Sequence, residues 1–302
     1  MSDTKCLTIL LAVDGSPHSE AAVRLVLSMR WPAGTLARVL AVTPDRYSLA
    51  GLSPEAQSVL ADTLAGLRRV DQTSAEALTA RVTARLRAAG MTAEMEVYAG
   101  RPSEVILQRA ADLRADLIVI GAKGLSAPGE YLLGSTAHKL AHYADCSVLV
   151  ARPPQRAQPL SMIFTADGSP EAQRATEFLC ALSLPQWAEV TVVSVVEIAV
   201  GVEDGEGRPV ADVPEVVRRA LFDTAEAWTS QVVARLSNGG TKVRSAIRCG
   251  HPAKEILSAA EEQDADLILV GARGQTRAGP FRLGGVAQKV VKYAPCSVLV
   301  VR

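Results

Sequence analysis

A glycine turn, Gly121-Ala-Lys123-Gly124, is followed after nine residues by Gly134-Ser135-Thr136, and the two join the end of an apolar run to the head of a helical pattern. Glycines at such places let the backbone approach a ligand closely. N–H groups at a helix start, together with the hydroxyls of Ser135 and Thr136, can donate to phosphate oxygens, and Lys123 adds a positive charge. The chemistry this arrangement suits is holding a polyphosphate. Glycine in a loop is also ordinary turn chemistry, so the spacing alone leaves both readings open.

The same chemistry is written twice. Leu10-Leu-Ala-Val-Asp14-Gly15-Ser16-Pro17 is echoed 153 residues later by Ile163-Phe-Thr-Ala-Asp167-Gly168-Ser169-Pro170. Gly100-Arg-Pro102 through Gly121-Ala-Lys-Gly124 is echoed 150 residues later by Gly250-His-Pro252 through Gly271-Ala-Arg273-Gly274. Both copies close alike, on Cys146-Ser-Val-Leu-Val150 and Cys296-Ser-Val-Leu-Val300. Gly284 matches Gly134, but Gly285 stands where the first copy has Ser135. Glycine keeps the backbone donor and loses the hydroxyl, and one hydrogen bond to a charged phosphate contributes roughly 1.5–3 kcal/mol, about ten- to a hundredfold in affinity. The second copy is therefore expected to bind more weakly, with Arg277 and Arg282 as compensating charges.

The elements that must position these residues follow from the apolar pattern. Strands are expected at Leu7–Val13, Ala37–Val42, Ala93–Tyr98, Leu117–Ile120 and Ser147–Ala151. Helices are expected at Ser19–Met29, Glu55–Ala89, Ser103–Leu113 and Ser135–Tyr143, with Gly90 as a stop. Strands that are continuously apolar are buried on both faces, as in a parallel sheet between helices. Each copy thus reads as an α/β domain, a doubly wound five-stranded parallel sheet. The crevice of such a sheet lies at the carboxyl ends of its strands, where Asp14, Val42 and Gly121 fall. The domains are residues 1–152 and 160–302, joined by the Pro-rich linker 153–159.

Composition narrows the function. Lys plus Arg and Asp plus Glu both number 32, and aromatic residues make up 4%, which argues against an electrostatic grip on nucleic acid and against base-stacking platforms. The apolar runs Leu7–Val13 and Val190–Val196 are far shorter than the ~20 residues that span a bilayer, so no membrane association is expected. Asp14 ends the first run and no small-residue cleavage site follows, so it reads as a strand and not a signal peptide. Five cysteines without CxxC or Cys/His spacing read as reduced thiols in a cytoplasm.

Other residues take structural readings beside functional ones. Asp14 and Asp167 precede Gly-Ser-Pro, so each could serve a ligand or make an Asx turn before a helix. Gly100-Arg-Pro102 and Gly250-His-Pro252 read as turns. His138 and His142 share a helix face, yet no Glu follows His138 as in a zinc protease. Glu130, inside the glycine loop, is expected to face solvent, and Arg68-Arg69 and Arg218-Arg219 to be exposed charge.

The Asp14 strand end, the Gly-x2-Gly-x9-Gly-Ser spacing and the closing Cys-Ser-Val-Leu-Val strand together resemble the universal stress protein family, and the repeat makes the chain resemble a tandem member. The resemblance implies a Rossmann-like, adenine nucleotide alpha hydrolase-like fold, and places the first copy in the ATP-binding branch, with ATP as the expected ligand and the presence of Mg²⁺ left open. It implies that Asp14 contacts ribose or adenine, that Ala12, Val13 and Val42 line the adenine pocket, and that Gly121, Lys123, Gly124, Gly134, Ser135 and Thr136 hold the phosphates. Asp167, Gly271, Arg273, Gly274, Gly284 and Gly285 are the second-copy counterparts. The closing strands Ser147–Ala151 and Ser297–Val301 are apolar and as edge strands need covering. Their pairing about a pseudo-twofold axis would make one chain an intrachain pseudo-dimer that resembles the family's usual dimer, and the resemblance allows a further homodimer and a regulatory protein partner of unknown identity.

Two function classes stand: a nucleotide-binding stress or regulatory protein whose occupancy alters conformation or partner binding, and a nucleotide-independent scaffold with vestigial loops. No GxxxxGK[ST], GxSxG or GxGxxG occurs in the chain, which argues against a P-loop enzyme, a hydrolase or a nicotinamide enzyme. Binding is expected, with slow ATP hydrolysis at most.

Overall fold

Runs of Val, Ile and Leu form parallel strands, and the amphipathic segments between them cover both faces. The computed structural model describes residues 6–43, 54–125, 133–154, 160–182, 184, 187–198, 214–237, 240–274 and 283–302. Two units divide the chain, Met1–Pro153 and Pro154–Arg302.

In the first unit β1 (Thr8–Ala12), α1 (Pro17–Ser28), β2 (Leu36–Thr43), α2 (Pro54–Ala88), β3 (Thr92–Ala99), α3 (Pro102–Asp112), β4 (Leu117–Gly121), α4 (Ser135–Tyr143) and β5 (Ser147–Ala151) alternate. Its sheet runs β3-β2-β1-β4-β5, all parallel. The chain winds outward from β1 through β2 and β3, then returns beside β1 as β4. Winding reverses between β1 and β4, and a crevice opens at their carboxyl ends. Ala12 pairs with Ile120, which brings Asp14 and the Gly121 turn to one level.

The second unit repeats the plan with β6 (Ser161–Thr165), α5 (Pro170–Ala181), β7 (Glu189–Val196), α6 (Glu215–Ser237), β8 (Lys242–Cys249), α7 (Pro252–Glu262), β9 (Leu267–Gly271), α8 (Gly285–Tyr293) and β10 (Ser297–Val301). Its strand order is β8-β7-β6-β9-β10, again parallel.

Ile9, Leu10, Leu11, Leu117, Ile118, Ile163 and Phe164 are fully buried in the central strands, each such side chain contributing about 1.5–3 kcal/mol. Repeated aspartates pin the strand starts: Asp116 Oδ2 accepts from Thr8 N and Asp266 Oδ2 from Ser161 N, both at 2.9 Å. Helix α2 closes with Gly90 N donating to Arg87 O (2.9 Å) and Met91 N to Leu86 O (3.1 Å), the pairing that satisfies terminal carbonyls. Pro102 and Pro252 open α3 and α7, so the two Gly-x-Pro segments are turns.

Outer strands β3 and β8 depart from the continuously apolar expectation, being half exposed. Glu96 on β3 pairs with Arg38 (3.2 Å) and Arg109 (2.9 Å), and charge of this kind suits a strand that lies at the outer end of its unit's sheet. No helix among the described residues is long and apolar enough to cross a membrane.

Candidate functional site

The first-unit crevice is built by the turn after β1. Asp14 Oδ1 accepts from Ser16 N at 3.0 Å, the Asx turn expected as one reading of this residue. Ser16 then caps α1: its Oγ accepts from Ser19 N (3.1 Å) and donates to the Lys123 carbonyl (3.1 Å). One buried hydroxyl thus ties the helix start to the glycine turn. Asp14 Oδ2 points the other way, and a Cβ added to Gly124 would lie 2.8 Å from it. Turn-making and loop-facing roles fall to different oxygens of the same carboxylate.

The Gly121 turn continues from β4. Gly134 N donates to Ala122 O at 2.8 Å, and a Cβ on Gly134 would crowd that oxygen at 3.1 Å. The Gly134 amide therefore closes the loop, and the donors left to a ligand are the N–H groups of Ser135, Thr136 and Ala137, ahead of the first helical bond from His138 N to Gly134 O (2.9 Å). Gly134 supplies no side-chain cap, so this helix start stays open. Lys123 is buried, at 8% exposure. Ala12 and Val13 are buried at the end of β1, and Val42 sits near the end of β2. Glu130 falls outside the described residues.

His18 was not singled out by its sequence surroundings, yet it lies under the turn. A Cβ on Gly121 would sit 2.7 Å from the His18 carbonyl carbon. Burial lowers the His18 pKa, a backbone hydrogen bond to Ala151 opposes this, and the charges of Lys123 and Arg152 lower it further. The imidazole is neutral at pH 7.

The second unit reproduces the frame. Asp167 Oδ1 accepts from Ser169 N (3.0 Å), Ser169 caps α5 by accepting from Ala172 N (3.1 Å), and a Cβ on Gly274 would lie 2.7 Å from Asp167 Oδ2. Gly284 N donates to Ala272 O at 2.7 Å. Asp167, Gly271, Arg273, Gly274, Gly284 and Gly285 all line one cavity of about 380 Å³. Thr165, Ala166 and Val195, the repeat counterparts of Ala12, Val13 and Val42, line it too.

This cavity lies in the unit where the sequence leads one to expect the weaker site. Trp228 accounts for one wall. It stands at the repeat position of Leu78 and lies against Gly168, whose φ of +73° and missing Cβ admit the indole: a Cβ there would be 2.3 Å from Trp228 Cε2. In the first unit Leu78 approaches Gly15 only at its side-chain tip, 3.7 Å from the equivalent point. Residues 44–53, which follow β2 there, are outside the description.

Glu171 occupies the position equivalent to His18. A Cβ on Gly271 would touch Glu171 Cβ at 2.9 Å. The Glu171 side chain is 2% exposed; its Oε1 lies 3.1 Å from Arg174 and 3.5 Å from Arg273 Nε, and its Oε2 has no hydrogen-bond partner. Arg273, expected to face phosphate, is thus also paired to a buried carboxylate. Gly285 has nothing within 4 Å of an added Cβ, so no steric constraint imposes glycine there. Arg277 and Arg282 fall outside the described residues.

His138 and His142 stack at 4.2 Å, and His142 Nδ1 contacts His138 O at 2.9 Å. No cluster of three or more His, Cys, Asp or Glu is placed to hold a metal ion among the described residues. All five cysteines are thiols, with Cys296 buried and Cys146 half-buried. Arg68, Arg69, Arg218 and Arg219 are exposed.

Two doubly wound α/β units in tandem, each with an aspartate facing a glycine turn and an uncapped helix start, define a Rossmann-like repeat protein with paired crevices. The chain belongs to the universal stress protein family, whose model matches residues 7–152 and 161–302. It is similar to a universal stress protein of Mycolicibacterium smegmatis, 26% identical over 97% of this chain and 96% of that one. A Thermus aquaticus universal stress protein is 35% identical over 47% of this chain and 98% of its own. The fold matches a solved universal stress protein from Archaeoglobus fulgidus (TM-score 0.64, 22% identity, 100% of this chain and 99% of that one).

Proposed function

We propose that the chain is an adenine-nucleotide-binding universal stress protein in which ATP occupancy of the first unit sets conformation or partner binding. Family membership supports a stress-response role. The observation that carries the nucleotide reading is the cradle at Asp14 and Gly124: a carboxylate oxygen faces a glycine whose Cβ would fill the space, beside a helix start with open donors. Those residues fit ATP. Asp14 would take a ribose or base polar group, Ala12, Val13 and Val42 the base, and the Gly121–Gly124 turn with Ser135 and Thr136 the phosphates. Lys123, whose charge reaches His18 below the turn, would offset phosphate charge, and Gly134 serves by closing the loop. Magnesium would travel with the phosphates, since the described residues offer it no cluster.

The reading is one of binding, because hydrolysis calls for a placed metal carboxylate and a group to orient water. Thermal melting of nucleotide-stripped protein with and without ATP and Mg²⁺ tests it. Saturable stabilisation is expected; an unchanged transition at millimolar ATP would instead favour the nucleotide-independent scaffold.

A further inference from the structure

The two units differ at one repeat position in a way that bears on ligand charge. Below the glycine turn the first unit has His18, neutral through burial, and the second has Glu171, a carboxylate with 2% exposure. Both contact the strand-end glycine, Gly121 or Gly271, so the positions are equivalent in space as well as in sequence. Glu171 faces Arg273 and Arg174, and its second oxygen is already unpartnered. Drawing Arg273 toward a phosphate chain would strip a buried carboxylate of one of its two cations, which is costly.

Three further features of the second cavity point the same way. Glu197 adds a carboxylate to the described lining, at the repeat position where the first unit's sequence has Pro44, and Arg273 is the one cation among the described lining residues. Gly285 offers no hydroxyl at the helix start. Trp228 gives the cavity a broad aromatic wall that the first unit lacks at Leu78, and an indole is a good surface for a base.

We propose that the second cavity binds a purine nucleoside in preference to a nucleoside triphosphate, with the base against Trp228, and that Glu171 excludes the phosphate chain by holding Arg273. This rests on the reading that these crevices take adenine ligands. The two units then divide one ligand class by charge: triphosphate in the first, nucleoside in the second.

The test uses the full chain, stripped of nucleotide and carrying Gly124→Ala to weaken the first site, titrated separately with adenosine and with ATP and Mg²⁺ while indole emission is followed. Adenosine is expected to bind at least about tenfold more tightly than ATP and to change emission, the change being lost in Trp228→Phe. Glu171→Gln should raise ATP affinity about tenfold and leave adenosine affinity within about twofold. Glu171→His, which installs the first unit's own residue, should do the same and covers a failure of Glu171→Gln to fold. Equal affinities for the two ligands, or an ATP-to-adenosine ratio unmoved by both Glu171 variants, overturns the proposal. If ATP binds the chain with an intact first site while adenosine does not bind the second, this proposal alone falls. If neither ligand binds either site, the nucleotide reading falls with it.

Discussion

Asp14 Oδ2 lies 2.8 Å from where a Cβ on Gly124 would stand, and Asp167 Oδ2 lies 2.7 Å from the same point on Gly274. Residues more than a hundred positions apart in the chain meet twice in the same geometry, each time with the aspartate's other oxygen fixed by a backbone N–H at 3.0 Å. The carboxylate cannot swing away without breaking its turn. An aspartate held against a glycine is the organising contact of each crevice.

Gly124→Ala should therefore separate binding from folding. The added methyl must displace an exposed carboxylate that the Ser16 N–H holds in its turn, so the folding cost should be about 1–3 kcal/mol, the usual range for an inserted methyl. ATP affinity should fall by at least about tenfold as the cradle fills. Chemical denaturation and calorimetric titration of the same preparation check the pair of values.

Ser16→Ala is expected to show the opposite pattern, with stability affected first. Ser16 is 1% exposed and bonds both Ser19 N and the Lys123 carbonyl. Loss of a helix cap costs about 1 kcal/mol, within a range of roughly 0.5–2. A urea midpoint lowered with an unchanged m-value would bear this out; an unaltered midpoint would mean the tie between α1 and the glycine turn contributes nothing.

Gly285→Ser should strengthen the second site toward ATP. Space is open around an added Cβ, so stability should stay within about 0.5 kcal/mol. The restored hydroxyl should raise ATP affinity by about ten- to a hundredfold. Titration of the Gly124→Ala, Gly285→Ser protein isolates this site, and no gain in affinity would show that the hydroxyl is not what weakens it.

His18 gives the first unit a pH dependence of defined sign. Its folded pKa lies below the ordinary 6.5, because burial and the nearby Lys123 and Arg152 charges disfavour the imidazolium. The unfolded chain binds the proton more readily, so the contribution is complete above about pH 6.5 and is lost as pH falls from there through the folded value. Melting curves at pH 7.5 and pH 5.5 should show a smaller acid loss in His18→Gln than in the parent chain. Equal losses would contradict the assignment.

Much of this was legible in the chain itself. Helix α4 and strand β5 begin and end where glycine spacing and apolar runs place them, because local chemistry decides both. The Asp14 turn was legible for the same reason. The Glu171–Arg273 pair was not, since its partners are a hundred residues apart and only burial makes the carboxylate unusual. Comparing the repeats column by column would have flagged His18 against Glu171 and Leu78 against Trp228, the substitutions that make the two crevices unlike. Strand β3 departs in the other direction: Glu94 and Glu96 alternate with apolar neighbours in its own sequence, as suits a strand at the outer end of the sheet and not one buried on both faces.

The most direct measurement is calorimetric titration of the stripped full chain with ATP and Mg²⁺, run beside the Gly124→Ala, Ser135→Ala double variant. The account predicts one tight ATP per chain, absent from the double variant while its melting transition is retained. Tight ATP binding that survives in the double variant, with unchanged stoichiometry, would contradict the placement of the nucleotide against Asp14 and the first glycine turn.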